Sequence, residues 1–529
     1  MRRRDLLKAA SVLATAPLAS VPLAAPALAQ AQKPLRFIPQ ANLTVLDPIW
    51  TTAVITYNHA YMVYDKLYGY DGAGQIKPQM AAGHEISQDE LTWTFTLRDG
   101  LMFHDREPVR ARDCVASITR WGSRDSFGQV LMRYINEMVV LDDKRFAIRL
   151  KKRCPQLLFG LGARQSFIMP ERFASRPGTE QITDATGSGP FRFLKDEWVS
   201  GVRCAYARFD GYVPRQEPPA FFAGGKVAHF SRVEWTVQPD PATAAAALQK
   251  NEADWLEQPL IDLCPMLNKS PGVYTKVVDP GGWLMFMVLN HLNPPFDNPK
   301  IRQAVLQVLD QQNFVDSVIG DQKELGIVPT GLFAPTMGMA NKAGLERLTS
   351  PRNVALAKKM VAESGYKGEP VMIMSPSDQP ALAQMSEVAR EMFESIGLKV
   401  DFQSMDWGSV VTRRAKQDPL DQGGWGAFIT VMSPLTAANP GSMLSLRGNG
   451  RKGWFGWPTD EKIEQLRESW FDAPDVAAQR AIAEQIQAQY FESVPFLALC
   501  RMQQPMAFRS DIRDVVSASF PMFWGIRRV

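Results

Sequence analysis

The sequence predicts an α/β protein with mixed sheets spread over more than one lobe. Three observations carry that expectation. Strand-like and helix-like patterns alternate along the chain, with no internal repeat or low-complexity tract. Residues 371–403 read as a strand–helix–strand unit, which implies a parallel pair joined by a crossover. A chain of 529 residues also exceeds what one core organises, so two or three domains are expected.

In order, LRFIP (35–39) reads as a strand, and Thr51 to Lys66 has helix-like apolar spacing. LTWTFTLRDG (91–100) alternates with period two and ends in a turn, and RFAIRL (145–150) is a second such strand. GSGPFRFLKDEW (187–198) is a Gly/Pro turn feeding a strand, with VRCAYARF (202–209) as its hairpin partner. VEWTVQ (233–238) is a strand, and Pro239-Asp240-Pro241 opens an Ala-rich helix. WLMFMVLN (283–290) is continuously apolar, as a strand buried on both faces would be. Asn298 is a good N-cap with Pro299 at the first helical position, and Ile301, Ala304, Val305, Val308 and Leu309 share one helical face. VMIMS (371–375), a helix near 380–396 and LKVDFQ (398–403) form the crossover unit, with Gly397 where a C-terminal glycine belongs. GWGAFITV (424–431) is a third strand there. Two long helices, about 458–471 and 475–493, precede the strand FLALCR (496–501).

The first thirty residues address the protein. Arg3-Arg4 is followed by an Ala/Leu/Val stretch broken by Pro17, Pro22 and Pro26, then Ala27-Leu28-Ala29, a small-x-small cleavage site. The stretch is shorter than the ~20 apolar residues of a membrane span. It is expected to be a twin-arginine export signal, residues 1–29, and no Cys follows it to take a lipid. The signal holds four of the 59 basic residues and one of the 55 acidic ones, so the mature chain is left with 55 and 54. Its net charge is near +1, and the basic balance of the full chain is no argument for nucleic acid. The five cysteines, Cys114, Cys154, Cys204, Cys264 and Cys500, form no CxxC motif, and a protein folded before export is not expected to depend on disulfides.

Enzyme motifs are absent or broken. His84-Glu85 begins an HExxH pattern, but residue 88 is Gln. None of the five His is at ligand spacing, so no metal and no cofactor is expected. Gly187-Ser188-Gly189 is not GxSxG, and there is no P-loop. Gly448-Asn449-Gly450-Arg451-Lys452-Gly453 fits GxGxxG, yet the Trp-rich WFGWP follows it instead of a helix; a flexible loop at a cleft mouth is the expectation. His104-Asp105 reads as a structural hydrogen-bonding pair.

Six stretches, in order, resemble the bacterial extracellular solute-binding proteins of family 5, which include dipeptide-, oligopeptide- and nickel-binding proteins. TFTLRDGLMFHDREPVRARDCVASITRW (94–121) is similar to the pattern FxLRxGxxFHDGxPxxAxDVxxS, and GSGPFRF (187–193) to GTGPY/F. LNHLNPPFDNPKIRQAVLQVLDQQNFV (289–315) is similar to NxxxPPFxDxxVRQAxxxAxD. ALAKKMVAESGY (355–366), WPTDEKIEQLRESW (457–470) and IAEQIQAQYFESVPFLAL (482–499) match three further landmarks. The resemblance implies a type II periplasmic-binding-protein fold in its large three-domain variant. Domain I would comprise residues 30–63, 187–282 and 495–529, domain II 64–186 and domain III 283–494. It further implies a monomer that carries a peptide-like solute through the periplasm to the permease subunits of an ABC-type importer, without catalysis. A ligand touching both lobes would shift the population toward closure.

Aromatics are the candidate ligand contacts. Trp407, Trp425, Trp454, Phe455 and Trp457 cluster in the second half among glycines that let backbone approach a ligand. Trp425 and Trp454 are expected to face the ligand, joined by Trp407, Phe428, Met432 and Trp283. Thr51, Thr52 and Tyr57 lie in a segment that resembles the family's ligand-contacting stretch. Peptide-binding members often carry an Asp shortly after the Gly-Trp here at 424–425, to pair with the α-amine. This chain has none there, and the next acid after Asp421 is Asp460. A buried amine would lack its partner, so a neutral, acidic or modified solute fits as well. The runner-up reading is a secreted hydrolase or esterase; a third is a periplasmic folding or scaffold protein.

Overall fold

The computed structural model describes residues 33–72, 74–162 and 165–529; the expected signal, residues 1–29, lies outside them. Among the described residues no helix is long and apolar enough to cross a membrane. The unit Pro34–Val529 is organised by three larger sheets.

The first sheet has seven strands in the order Phe191–Phe193, Arg203–Arg208, Arg232–Thr236, Leu35–Ile38, Trp255–Leu256, Pro505–Arg509 and Val273–Val277. Leu35–Ile38 is parallel to both neighbours, and the rest pair antiparallel. The second sheet has six strands, ordered Gly326–Ile327, Phe496–Met502, Trp283–Leu289, Ala427–Met432, Val371–Pro376 and Val400–Met405. The expected parallel unit is there: Val371–Pro376 and Val400–Met405 pair in parallel, joined through helix Pro380–Ser395. Gly397, at φ +91°, sits just past the helix in the left-handed region that stops it. The third sheet is antiparallel, in the order Ala81–Ile86, Thr92–Leu97, Arg145–Leu150 and Ile135–Val140.

The helix read over Thr51 to Lys66 is shorter, Val54–Val63. At its start the Thr51 hydroxyl accepts from the Ala53 N–H (3.1 Å), a turn that competes with helix. At its end, Asp65–Lys66 is drawn into pairing with Phe167–Ile168. His104 and Asp105 serve separate partners instead of one another. The imidazole accepts the Gly187 N–H (3.2 Å) and bonds the Gly189 carbonyl (3.1 Å), while Asp105 pairs with Arg172 (2.5 Å). His84 bonds the Tyr68 hydroxyl (2.8 Å) and stacks on Trp93. All five cysteines are buried and unpaired.

Two chain segments run between the first and second sheets, and they lie side by side. One, 278–282, joins Val273–Val277 to Trp283–Leu289; the other, 503–504, joins Phe496–Met502 to Pro505–Arg509. Phe496–Met502, which the expected boundaries group with the first domain, therefore pairs within the second sheet. The Gln503 side chain donates to the Pro280 carbonyl (3.0 Å) and Arg501 to the Gly282 carbonyl (3.1 Å). Asp279 accepts from Ser519 (2.5 Å) and from the Gly281 N–H (2.9 Å). Gly282 takes φ +65°, a bend that other residues adopt only at a cost.

The third sheet is bound unequally on its two sides. Toward the first sheet it is tied by buried ion pairs, Asp47 to Arg120 and Asp65 to Lys226, both at 2.7 Å and fully enclosed. Arg120 also donates to the carbonyls of Arg176, Pro177 and Glu180, and Lys226 lies over the Trp524 ring. Toward the second sheet the ion pairs are exposed, Arg133 to Glu468 (3.0 Å) and Lys152 to Asp472 (2.8 Å), and Asp472 also accepts from the Tyr134 hydroxyl (2.5 Å). Behind them Phe127 packs edge-on against Phe471, and a Cβ on Gly441 would lie 2.7 Å from the Phe127 ring.

Candidate ligand-binding face

Strand Ala427–Met432 is the spine of the candidate site. It pairs antiparallel with Trp283–Leu289, so that Phe428 faces Val288, Thr430 faces Phe286 and Met432 faces Leu284. It pairs in parallel with Val371–Pro376, where Met374 lies opposite both Phe428 and Gln403. Residues directly opposite one another share a face of the sheet. Phe428, Thr430 and Met432 therefore form a row on one face, about 13 Å long at the strand rise.

Helix Trp407–Arg413 folds back over this face. Asp406 caps it by accepting from the Ser409 N–H (3.0 Å), and Asp378 accepts from the Trp407 N–H (2.7 Å). Arg413 donates to the Gln403 side chain (2.8 Å) and to the Gly423 carbonyl (3.1 Å), holding the far end. Residues 448–457 come in beside it. A single 3₁₀ turn, Gly450–Lys452, stands where a dinucleotide motif would need a helix. Gly456, at φ +91°, lets the chain press on Leu289: a Cβ there would sit 2.7 Å from the Leu289 carbonyl oxygen. Trp454 is thereby laid against Phe286 (6.0 Å between ring centres) and Phe455 (4.9 Å).

Between helix and loop sits Arg414, a residue the sequence reading did not single out. Its guanidinium lies 4.6 Å from the centre of the Phe455 ring, 5.6 Å from Trp407 and 6.0 Å from Phe428. Its Nε is buried without a hydrogen-bond partner. Burial alone pushes the guanidinium down to about 10, with no carboxylate acting against it. It remains a cation at neutral pH. The signal in the sequence is the seven-residue spacing from Trp407, which returns to the same helical face.

Two expected contacts, Trp407 and Phe428, thus lie against Arg414; Trp454 reaches this group through Phe455, and Trp425 through Phe428. Trp425 is not exposed on a ligand-facing loop as expected. It is fully buried beneath Phe428 (5.0 Å) and Trp457 (5.6 Å), and its Nε1–H donates to the Lys416 carbonyl (3.2 Å). Its flat apolar ring fills the space under the face. Phe428 is as fully enclosed as Trp425, and Met432 nearly so.

The other expected contacts gather where the first and second sheets meet. Tyr57 and Trp283 both pack on Phe520, at 5.9 and 6.2 Å between ring centres. Tyr57 is fully buried and its hydroxyl receives a hydrogen bond from Gln165. Leu435, just beyond Met432, belongs to the apolar cluster around the first sheet, and Met337 packs there and meets the Tyr70 hydroxyl (3.6 Å). Phe520, Met337 and Leu435 were not read from the sequence, since only the packing joins them. Thr51 is half-buried and Thr52 exposed in the turn before the helix. A cavity of about 220 Å³ opens elsewhere, between helices Ser126–Tyr134 and Glu461–Asp472. It holds none of the expected contacts, and its arginines pair with Glu464 and Glu468.

Residues 75–454 match the family model of bacterial extracellular solute-binding proteins, family 5. The chain belongs to that family. A probable peptide ABC transporter periplasmic-binding protein, y4tO of Sinorhizobium fredii, is 37% identical over 530 residues, covering 99% of both chains. Among solved structures, a dipeptide-binding protein from Pseudoalteromonas sp. SM9913 in complex with Met-Leu superposes with a TM-score of 0.79 at 18% identity, over 94% of this chain and 100% of that one. The binding protein AgaA from A. tumefaciens R10, in complex with agropinic acid, superposes with a TM-score of 0.78 at 20% identity, over 94% and 99%. The fold is that of the type II periplasmic binding proteins. The chain is a solute-binding protein that works by capture and not by turnover, on the extracytoplasmic side, as a component of ABC transport. The hydrolase reading has no support.

Proposed function

We propose that this protein captures a peptide-like solute in the periplasm and presents it to the permease subunits of an ABC importer, after export on a cleaved twin-arginine signal and as a monomer. The observation that carries the reading is the pair of adjoining segments, 278–282 and 503–504, with Trp283, Tyr57 and Phe520 packed beside them. Two sheets joined at one edge open and close like a book. The row Phe428–Thr430–Met432 would then be the page on one side, and the stretch Thr51–Tyr57 would belong to the other. On this reading residues 33–63, 187–282 and 503–529 would move as one lobe together with 64–186, against 283–502. The peptide-like character of the solute is supported by the relative from Sinorhizobium fredii.

The test is small-angle scattering on the exported protein, combined with native mass spectrometry of what co-purifies with it. One bound solute per chain and a fall in radius of gyration on loading are expected. Stoichiometric binding with superimposable scattering curves would remove the closure mechanism. Capture of unfolded chains without any small-molecule complex would remove the transport role.

A further inference from the structure

We propose that the cavity between helices Ser126–Tyr134 and Glu461–Asp472 binds a small organic carboxylate, as a second ligand beside the transported solute. The argument starts from charge. Three guanidiniums line the space, Arg133, Arg447 and Arg467, against two carboxylates, Glu464 and Glu468. Glu464 is already committed. It accepts the Arg447 Nε–H on both oxygens (3.0 and 3.1 Å) and the Gly448 N–H (2.9 Å), and it faces the Arg467 Nε at 3.7 Å. Glu468 accepts from Arg133 (3.0 Å). One positive charge is left over. Donors are left over with it. Arg467 is enclosed, with 4% of its side chain exposed, and its Nη1 is spent on the carbonyls of Pro440 and Met443. Its Nη2 makes no hydrogen bond among the described residues, and neither Nη group of Arg447 does. Burial pushes the Arg467 guanidinium down to about 10; Glu464 acts against that, and the charges of Arg447 and Arg133 add to it. An anion placed among the three relieves this repulsion and takes up the idle N–H groups. A carboxylate matches the planar fork, with two parallel N–H···O bonds.

Size and lining narrow the class. A space of about 220 Å³ holds about eight non-hydrogen atoms, since a cavity of about 150 Å³ holds benzene. Inorganic phosphate would leave part of it empty. Val130 and Phe471 add apolar surface to the lining, which suits an acid with a short hydrocarbon body. The walls come from different parts of the chain: Val130 and Arg133 lie in 64–186, and Arg447, Arg467 and Phe471 in 283–502. On the two-lobe reading above, on which this consequence alone rests, a carboxylate touching both walls favours the closed form.

The experiment is isothermal calorimetry at constant ionic strength on wild type, Arg133→Gln, Arg447→Gln and Lys152→Gln. Lys152 lies on the same seam outside the cavity, so its variant controls for net charge. The probes are butyrate, succinate, inorganic phosphate and 1-butanol. Wild type is expected to bind one butyrate or one succinate per chain, more tightly than phosphate, and to ignore butanol. Arg133→Gln and Arg447→Gln should each lose about 10- to 100-fold in affinity, and Lys152→Gln should bind as wild type does. Should Arg447→Gln fail to fold, Arg133→Gln decides, because that side chain is 59% exposed and its ion pair contributes little to stability. In scattering, saturating butyrate should lower the radius of gyration of the solute-free protein; no change would overturn the link to closure. Absence of saturable carboxylate binding to wild type would overturn the site itself. So would tighter binding of phosphate, wild-type affinity in Arg133→Gln, or displacement of the carboxylate by the co-purified solute. None of these results touches the solute-binding reading, which falls only if the chain carries no small molecule at all.

Discussion

Truncating Trp425 should unfold the protein more readily without touching the solute. Its ring is fully enclosed, packed on Phe428 and Trp457. A buried tryptophan removes about 150–250 Å² from water, and at about 25 cal/mol per Å² that burial is worth some 4–6 kcal/mol as an upper bound. Trp→Ala changes in cores cost about 3–5 kcal/mol. The Lys416 carbonyl also loses its donor, worth about 1 kcal/mol. The expected loss for Trp425→Ala is therefore about 4 kcal/mol, a large share of a typical stability. Trp454 makes the control. It is half-buried, laid against Phe286 and Phe455, and Trp454→Ala should cost under about 2 kcal/mol. Affinity for the co-purified solute should instead fall about tenfold with Trp454→Ala. Urea unfolding followed by circular dichroism gives the stabilities, and calorimetry the affinities. A Trp425→Ala protein as stable as wild type but unable to bind would refute this reasoning and make the indole a ligand surface.

Two further predictions concern buried charge. Glu257 is enclosed between the Gln40 N–H and the Asn58 amide, both at 2.8 Å, and burial pushes its carboxyl up to about 7. The folded protein keeps a proton that the unfolded chain releases near pH 4.3, so stability is greatest below that pH and falls as pH rises toward 7. Glu257→Gln should remove that slope, adding about 3 kcal/mol at pH 8 and little at pH 4. A flip of the Asn58 amide, which now donates through Nδ2, turns its unpartnered Oδ1 to accept from the new side-chain amide. Melting temperatures of wild type and variant that run parallel across this range would refute it. Asp65→Asn should destabilise by about 3–5 kcal/mol, because Lys226 is left charged in an enclosed site. The double change Asp65→Leu with Lys226→Met should recover most of it in thermal unfolding, and no recovery would mean the pair is not what the Asp65→Asn loss reports.

Periodicity made the scaffold legible. The apolar run at 283–290, the glycine at 397 and the capped start at Asn298 each depend on neighbours a few residues away, so sequence spacing carries them. The face above strand Ala427–Met432 depends on segments that only folding assembles. Arg414 acquires its surroundings from residues 407, 428 and 455, and no local pattern says that its Nε will lack a partner. The burial of Trp425 was hidden for a related reason. A tryptophan between glycines reads the same whether the glycines clear room for a ligand or, as at Gly426 against Met372, for an adjoining strand. The helix at 54–63 lost its ends to competitors outside its own periodicity: a hydroxyl turn at Thr51 and a strand partner at Phe167–Ile168.

The unequal fastening of the four-stranded sheet has a mechanical consequence. On one flank, enclosed charges weld it: separating Asp47 from Arg120 or Asp65 from Lys226 would bare ions where water cannot reach. On the other, Arg133–Glu468 and Lys152–Asp472 are already wet, and each parts for a fraction of a kcal/mol to about 1 kcal/mol. The two flanks therefore answer differently to the medium. Salt in the surroundings screens the wet pairs and leaves the dry ones alone, so ionic strength acts on one flank only, where the packing of Phe127 on Phe471 stays when the ions part.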